Sequence, residues 1–466
     1  MSKLLLHGAW VVTEKDDQQG IIEDGYVGVI DDKIAYVGKE KPVGYEDAEI
    51  IDRKYGLIIP GLIDTHYHSD SPATKGFCED VGSPGLYGSI LYEYLTAIYA
   101  VCGTEEWRPI ANLTFMEFLK GGVTTCVEFN AYFPEDIAYL IRDCGIRGYV
   151  GPETNTLDKF PYSPDGHTLI IPHKEGPDMF KKLERNVDLI EKYNGKFCDR
   201  VTMTLGPTEP PACRPEMLRE VRKLADKYKL PITIHAAETM IEREYIQREY
   251  GMDSIEWLME NGICGPDVIY AHTPYCSEKE KLLMAETKTN VAHCPSIFLS
   301  RGKYMKSLQK YTDLGINVSI GTDTFPQDMI REMRLASSMS KVADDIWTSA
   351  PAGLVFKCAT KNGAKALGRD DLGKLVVGAK ADIAIVDMND FNTLPVRDPI
   401  RVLVSCTTSH NVTDTIVDGK VIVKNKQLLT MDEEKVKAEA WEAQKRMWSR
   451  IENLNELSPL SVPFFE

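Results

Sequence analysis

The chain has 466 residues and a formal net charge of −16, with an apolar fraction that is ordinary for a globular protein. A chain of this length can bury one large core and a second, smaller one. The excess of acidic residues excludes nucleic acid or an anionic membrane as a partner, because a phosphate-binding surface must neutralise negative charge. No apolar stretch reaches the length of a membrane span, and the eleven cysteines include no Cys-x-x-Cys pair. We therefore expect a cytoplasmic protein with reduced thiols.

Both ends of the chain carry short apolar runs separated by turn signals, which predict β-strands. Near the amino terminus, runs at 25–30 and 33–38 flank the turn at Asp31 and Asp32. Similar runs recur far away, at 373–378, 381–387 and 415–424. Two half-sheets need each other to cover their apolar faces. We predict that residues 1–58 and 365–430 form one small, discontinuous β-sandwich domain.

Residues 59–364 alternate strand-like runs with helical patterns, which is typical of a parallel sheet closed into a barrel. One helix is predicted over 215–228, with proline in its first turn and apolar residues three and four apart. Residues 431–466 are assigned to a C-terminal helix, from about 432 to 453, and a tail. The prediction is an α/β fold, a (β/α)8 TIM barrel, with candidate strands at 60–66, 123–129, 147–153, 201–206, 231–236, 267–272, 289–293 and 317–323.

The long stretch from Ser69 to Trp107 is the exception to short loops in this region. Loops of this length are usually functional or have structure of their own. Aromatic residues are frequent in it, and two interpretations stay open: they cover a planar substrate, or they pack the loop onto the barrel or a neighbouring subunit. These residues are Phe77, Tyr87, Tyr92, Tyr94, Tyr99 and Trp107.

Two histidines, His66 and His68, end the first predicted barrel strand. Side chains of a strand alternate faces, so the two imidazoles point the same way. Other apolar runs also end on a metal-binding residue, at His235, His272, His293 and Asp323. The carboxyl ends of parallel barrel strands meet on one rim. Convergent imidazoles and a carboxylate are what a divalent transition metal binds, so the sequence predicts a metal site there.

These motifs resemble the amidohydrolase superfamily, in particular its branch of aminohydrolases and chlorohydrolases, which includes cytosine, guanine and triazine-acting enzymes. The resemblance covers nearly the whole chain. It rests on His-x-His after Pro-Gly-Leu-Ile-Asp, on His-Cys-Pro at 293–295 and on Gly-Thr-Asp at 321–323. It implies that His272 lies beside the activated water or joins the coordination shell, and that the metal is held by His66, His68, His235 and Asp323.

The resemblance also bears on how many metals bind. Binuclear members bridge two metals with a carboxylated lysine or another anion near the fourth strand, whereas the run 201–206 ends without a lysine. One divalent ion is expected, and a carboxylate bridge through Glu153 or Glu209 is left open. Zinc is the first choice, with iron, cobalt or manganese as alternatives, because ligand softness and geometry select only loosely.

Glu238 follows His235 by three residues, just past the predicted strand end. A hydrolytic metal site lowers the pKa of water to roughly 7 and then needs a carboxylate that carries the released proton to the leaving group. Glu238 is the candidate shuttle, as the matching glutamate is in cytosine-deaminase-like relatives; the alternative is a solvated residue at a helix start. The resemblance also implies that Asp323 accepts the proton of the attacking water and that His272 polarises the reacting centre.

Departures from the family pattern concern the substrate. Segment 206–211 lacks the histidine that is common after the fourth strand of nucleoside deaminases, and 293–299 lacks the asparagine common after Cys-Pro-x-Ser. These departures imply a more apolar pocket. They weaken an assignment to S-adenosylhomocysteine or guanine as the substrate, and they favour ureas and thiocarbamates instead.

The functional prediction is a metal-dependent hydrolase that deaminates an amino-substituted N-heterocycle. One alternative is hydrolysis of the C–N or C–S bond of a urea, carbamate or thiocarbamate. A non-catalytic barrel scaffold is the alternative of another class, and the complete ligand set speaks against it. A small-molecule substrate and a homo-oligomer, dimer or tetramer, are expected.

Overall fold

The computed structural model describes residues 2–16, 18–77, 79–80, 95–157 and 171–462. Strands from both ends of the chain form one mixed sheet, in the order β17-β16-β15-β14-β4-β1-β2-β3. This sheet confirms that the two chain ends pair with each other, whereas its predicted form, a sandwich, is not confirmed. Its strands are β1 (Lys3–Lys15), β2 (Gln18–Ile30), β3 (Lys33–Gly38), β4 (Glu49–Pro60), β14 (Ile383–Asp387), β15 (Val412–Val417), β16 (Lys420–Lys424) and β17 (Gln427–Leu428).

Parallel strands form two further sheets. One has the order β5-β6-β7-β8, with β9 also paired to β7, and the other has the order β10-β11-β12-β13. The strands are short and almost wholly buried, as expected for strands covered on both faces. They are β5 (Leu62–Tyr67), β6 (Val123–Ala131), β7 (Arg147–Thr154), β8 (Val201–Met203), β9 (Gly206–Pro207), β10 (Ile232–Ala236), β11 (Val268–His272), β12 (Asn290–His293) and β13 (Val318–Ile320).

Isolated parallel bridges connect the two sheets at both of their outer edges. Tyr67 pairs with Asp323, and Leu205 pairs with Ile232. The predicted α/β class with parallel strands is therefore confirmed, and each predicted strand lies within two or three residues of an observed one. Closure into a single eight-stranded barrel stays a prediction.

Helices follow most of the parallel strands. The helix predicted over 215–228 is observed at those bounds, and the C-terminal helix is shorter than predicted by a few residues. Among the described residues, no helix is both long and apolar enough to cross a membrane. The main helices are α1 (Leu95–Val101), α2 (Thr104–Lys120), α3 (Pro134–Cys144), α4 (Lys181–Tyr193), α5 (Pro215–Tyr228), α6 (Met240–Tyr250), α7 (Ser254–Glu260), α8 (Glu278–Thr287), α9 (Pro295–Ser300), α10 (Leu308–Asp313), α11 (Met329–Asp344), α12 (Ala352–Cys358), α13 (Lys361–Ala366), α14 (Pro399–Cys406) and α15 (Glu433–Arg450).

Short helical turns complete the regular structure. They lie at Ser71–Thr74, Gly176–Phe180, Lys196–Asp199, Pro210–Ala212, Ser409–Asn411 and Leu454–Leu457. Within the turn at Lys196–Asp199 the backbone is left-handed, with φ angles of 57° at Phe197 and 63° at Cys198.

A buried ion network joins the parallel strands to the mixed sheet. Arg147, at the start of β7, donates to Asp382 at 3.2 Å and to Asp418 at 2.7 Å. All three side chains are almost fully buried. Removing one partner of such a network leaves an uncompensated charge, so these contacts hold the amino-terminal ends of the strands against the sheet. The opposite ends of the strands stay free to carry loops.

The aromatic stretch after β5 packs in part against α15. Phe77 is buried together with Met447 of that helix. The ring of Tyr99 lies 4.7 Å from that of Tyr132, which follows β6 directly. Packing therefore accounts for Phe77, whereas the predicted contributions of Tyr87, Tyr92 and Tyr94 lie outside the described residues.

Candidate metal centre

All five predicted ligands lie at the carboxyl ends of parallel strands. His66 lies within β5 and His68 directly follows it, while His235 and His272 lie at the ends of β10 and β11. Asp323 comes three residues after β13. These strand ends are the positions at which α/β enzymes place their chemistry.

The four histidines lie close together around the carboxylate of Asp323. Its carboxylate lies 3.5 Å from Nε2 of His68, 3.7 Å from Nε2 of His272 and 3.9 Å from Nε2 of His66. The ring of His235 is 5.0 Å from that of His66 and 5.3 Å from that of His272. Ligand atoms of His66, His68 and His235 all lie within 4.8 Å of one another, a separation that one metal ion could span.

Backbone carbonyl groups determine which ring nitrogen faces the centre. Nδ1 of His68 is 3.1 Å from the carbonyl oxygen of Phe129, and Nδ1 of His235 is 2.9 Å from that of Thr208. An imidazole that donates from Nδ1 keeps its lone pair on Nε2. This is the usual outer support of a metal-binding histidine, and it orients both Nε2 atoms inward.

Burial keeps these imidazoles neutral. It lowers the pKa of His68 to about 3 and the pKa of His235 to about 4, with the neighbouring His235 adding to the effect at His68. Burial likewise depresses the pKa of His66 and His272 far below the ordinary value, and the other histidines add to it. Neutral imidazole is the form that binds a metal.

The donor set fits a divalent cation. Nε2 of His66 and both ring nitrogens of His272 are buried and have no hydrogen-bond partner among the described residues. Burial and the nearby Glu238 raise the pKa of Asp323 well above its ordinary value. Unsatisfied buried nitrogens and a desolvated carboxylate are costly by themselves. A bound cation would satisfy both, which is why we regard the cluster as a metal centre.

Glu238 belongs to the same cluster. Its carboxylate lies within 4.8 Å of the ligand atoms of His235 and His272, and only 5% of the residue is exposed. The alternative of a solvated residue at a helix start does not fit this burial. Glu238 is therefore in reach of a molecule bound at the metal centre.

Three residues at the cluster have a left-handed backbone conformation. His272 has a φ angle of 81° and Asp323 one of 61°, and Ala237, next to Glu238, has 49°. Residues other than glycine adopt this region infrequently, and strained backbone of this kind is found at functional sites as well as in turns. Gly321 contributes space instead, because a Cβ atom there would lie 2.7 Å from the carbonyl oxygen of His66.

Asp64 ties two ligand-bearing segments together. Its carboxylate accepts from the backbone amide of His66 at 3.0 Å and from the hydroxyl of Thr322 at 2.7 Å. Burial raises the pKa of Asp64 to about 7 despite these contacts. The interaction explains why an aspartate ends an otherwise apolar strand segment.

Some predicted residues lie outside the ligand group. Glu153 forms an ion pair with Lys182 at 2.9 Å, and neither it nor Glu209 belongs to any potential ligand group among the described residues. His293 is buried at the end of β12, and burial lowers its pKa to about 4. Cys294, the middle residue of the His-Cys-Pro motif, has its sulfur within 4.8 Å of ligand atoms of His66 and His272.

Buried carboxylates that support the loops were missed in the sequence. Glu128 accepts from the amide and hydroxyl of Ser69. Glu332 accepts a hydrogen bond from a backbone amide in the first turn of α9, and Glu242 accepts two from the loop after β10. Only Glu242 had a local signal, the Thr-x-x-Glu pattern of a helix start at 239–242. The others show their role only through contacts distant in sequence.

Comparison with known proteins shows the family of this chain. Residues 57–422 match the model of the amidohydrolase family, and the chain belongs to that family. Its relatives include the 5'-deoxyadenosine deaminase of Methanosarcina acetivorans, 29% identical over 97% of this chain and 99% of the relative. They also include the 5-methylthioadenosine/S-adenosylhomocysteine deaminase of Pyrococcus furiosus, 30% identical over 83% of this chain and 88% of the relative.

Two solved structures resemble the whole chain. An adenosine deaminase from Xanthomonas campestris, with bound zinc, superposes with a TM-score of 0.85 at 25% identity, over 96% of this chain and 99% of that one. A triazine hydrolase from Arthobacter aurescens gives a TM-score of 0.84 at 25% identity, over 95% of this chain and 100% of that one.

These findings confirm the predicted family and enzyme class. The protein is a metal-dependent hydrolase of carbon–nitrogen bonds other than peptide bonds. Its deaminase relatives support deamination of an amino-substituted heterocycle, and they speak against the scaffold alternative.

Proposed function

We propose that this protein deaminates the 6-amino group of an adenine nucleoside that lacks a 5'-hydroxyl group, such as 5'-deoxyadenosine or 5'-methylthioadenosine. The observation that carries the proposal is the joint presence of the ligand cluster and buried Glu238 in a chain that aligns along 97% of its length with a 5'-deoxyadenosine deaminase. Water replaces the amino group, so the products are the 6-oxo nucleoside and ammonia.

The proposed metal ligands are His66, His68, His235 and Asp323, with His272 beside them, and one zinc ion per chain is the proposed cofactor. When bound, the ion acidifies a water molecule and so supplies the nucleophile. One ion rather than two is proposed because the run 201–206 ends without a lysine and the Glu153 carboxylate is paired with Lys182. Closure of the two parallel sheets into a (β/α)8 barrel, favoured by the bridges at Tyr67 and Leu205, is part of the same proposal.

Three residues are proposed to handle protons and charge. Asp323 accepts a proton from the attacking water, since its carboxylate faces the whole imidazole cluster. Glu238 takes up the other proton of that water and delivers it to the ring nitrogen, and the proton held by Asp323 passes to the leaving amino group, which departs as ammonia. His272 stays neutral at working pH because burial depresses its pKa, so that it polarises the reacting carbon's new oxygen by donating a hydrogen bond.

Apolar rings next to the cluster suit a planar heterocycle. Phe298 is buried, and its ring lies 4.8 Å from that of His272. Thr208 does not take the place of the histidine that segment 206–211 lacks, because its hydroxyl donates to the carbonyl oxygen of Thr154. Recognition of the sugar must therefore come from other groups than the histidine used in nucleoside deaminases.

The direct test is a substrate panel with the purified, zinc-loaded protein. We expect ammonia and the 6-oxo product, seen as the ultraviolet shift from adenine to hypoxanthine, from 5'-deoxyadenosine and 5'-methylthioadenosine. Adenosine tests selectivity for the 5' position of the sugar, and guanine and amino-triazines test selectivity for the heterocycle. Release of an amine or thiol from ureas or thiocarbamates, with no ammonia from any aminopurine, would reject the proposal in favour of the open-chain alternative. The predicted domain limits, oligomeric state and cytoplasmic location stay predictions.

A further inference from the structure

Glu242 lies four residues after Glu238, in the first turn of α6. Only 1% of this residue is exposed, and each of its two carboxylate oxygens accepts a hydrogen bond from a backbone amide at 2.8 Å, one from Ala237 and the other from Glu238. The pattern of residues 239–242 would ordinarily direct this carboxylate to the amide of Thr239. It reaches two residues further back instead, into the loop that carries Glu238.

This loop is fixed from the other side as well. The carbonyl oxygen of Ala237 accepts from the amide of Tyr275 at 3.0 Å, and that of Ala236 accepts from the amide of Thr273 at 3.1 Å. Ala237 itself has a left-handed φ angle of 49°, which a residue with a Cβ atom does not hold without support. The peptide between β10 and α6 is therefore held between Glu242 and the loop that follows His272.

We propose that Glu242 is a positioning residue, which holds the backbone of Ala237 and Glu238 so that the Glu238 carboxylate faces the metal centre. The inference rests on the proposed role of Glu238. Only an acceptor with two equivalent oxygens satisfies both amides at once. In Glu242→Gln one amide would face an NH2 group, and the strained peptide would relax away from the site.

A double-mutant cycle tests whether Glu242 acts through Glu238. In zinc-loaded protein with 5'-deoxyadenosine, Glu242→Gln should lower kcat by about 10- to 100-fold, the scale expected when a catalytic group is displaced by about 1 Å. In a Glu238→Gln background the same change should lower kcat by less than about 3-fold, because the displaced group no longer transfers a proton. Losses that multiply in the double variant would overturn the proposal.

Backbone amide hydrogen exchange provides a readout that does not depend on activity. Peptides that contain Ala237 and Glu238 should exchange faster in Glu242→Gln, with bound zinc unchanged. Glu332→Gln is the matched control, since Glu332 is equally buried and accepts a hydrogen bond from the amide of Ser296 at 2.9 Å in the first turn of α9, away from residues 237–238. That control should leave exchange at 237–238 unaltered. Unchanged exchange in Glu242→Gln would overturn the proposal.

The double-mutant cycle and the hydrogen-exchange measurement together distinguish failure of this inference from failure of the proposed function. If the wild-type protein deaminates no aminopurine but exchange accelerates as expected, the substrate assignment fails and the positioning contact stands. Full activity of Glu238→Gln would refute the shuttle role and, with it, the positioning role. Glu242→Asp, which keeps the charge but cannot span both amides, replaces Glu242→Gln if the latter does not fold and should show the same non-additivity.

Discussion

His68 and Asp323 contact each other through both backbone and side chain. The amide of His68 donates to the carbonyl oxygen of Asp323 at 2.8 Å, and the Nε2 atom of His68 lies 3.5 Å from the Asp323 carboxylate. The same hydrogen-bond ladder therefore pairs the first and last parallel strands and brings two proposed ligands together. Formation of the metal centre is thus linked to the pairing of segments more than 250 residues apart.

Loss of Asp323 should remove the metal. Asp323→Asn keeps the shape of the side chain but not its charge, so zinc affinity should fall by more than the roughly 10- to 100-fold that loss of an outer-shell partner costs. Elemental analysis after gel filtration measures this, with an expected content of about one zinc per wild-type chain. Glu153→Gln is the control and should keep that content. Two tightly held metals in the wild type, or a retained metal in Asp323→Asn, would contradict the assignment.

Glu238→Gln should separate proton transfer from metal binding. The amide keeps the size of the side chain but cannot deliver a proton, so kcat should fall by about 10²- to 10⁴-fold while zinc content stays unchanged. Glu244→Gln, an exposed change on α6, the helix that follows Glu238, should have no comparable effect. A parallel loss of zinc would identify Glu238 as a ligand, and full activity would remove it from the mechanism.

Gly321→Ala should damage the site through space alone. The new methyl group would lie 2.7 Å from the carbonyl oxygen and 2.9 Å from the amide nitrogen of His66, so β5 or β13 must shift. We expect a loss of about 1–3 kcal/mol in unfolding free energy together with weakened zinc binding. Gly353→Ala is the matched control, because nothing lies within 4 Å of its added Cβ. Equal effects of the two variants in chemical unfolding would show that the site is not close-packed there.

The buried carboxylate of Glu332 should make stability depend on pH. Burial raises its pKa to about 8 against hydrogen bonds from Ser296 that lower it, whereas the unfolded value is close to 4.5. The folded state therefore binds more protons between pH 4.5 and 8, and this contribution to stability decreases as pH rises through that window. Relative to Glu332→Gln, which does not titrate, the wild-type Tm should fall by on the order of a few °C between pH 5 and pH 8.5. A constant Tm difference measured by calorimetry would contradict the shift.

The sequence by itself determined the parallel strands and was sufficient to propose the ligand residues. Short apolar runs that end on His66, His235 or Asp323 place those side chains at strand ends, because a strand buried on both faces is apolar throughout and polar residues are tolerated only where it ends. The helix at 215–228 was equally clear, since its proline and its apolar spacing are local signals. Local patterns also indicated that the two chain ends pair, though not that their strands join in one sheet.

Only the tertiary structure decided how the site is supported. Three contacts depend on where segments meet in space: the hydrogen bonds from backbone amides to Glu242, the pairing of Glu153 with Lys182, and the approach of Cys294 to the histidines. The low pKa of His68 arises in the same way, from burial that no local pattern records. The physical reason is that hydrogen bonding and desolvation act over a few ångströms, whereas the groups involved are often tens or hundreds of residues apart along the chain.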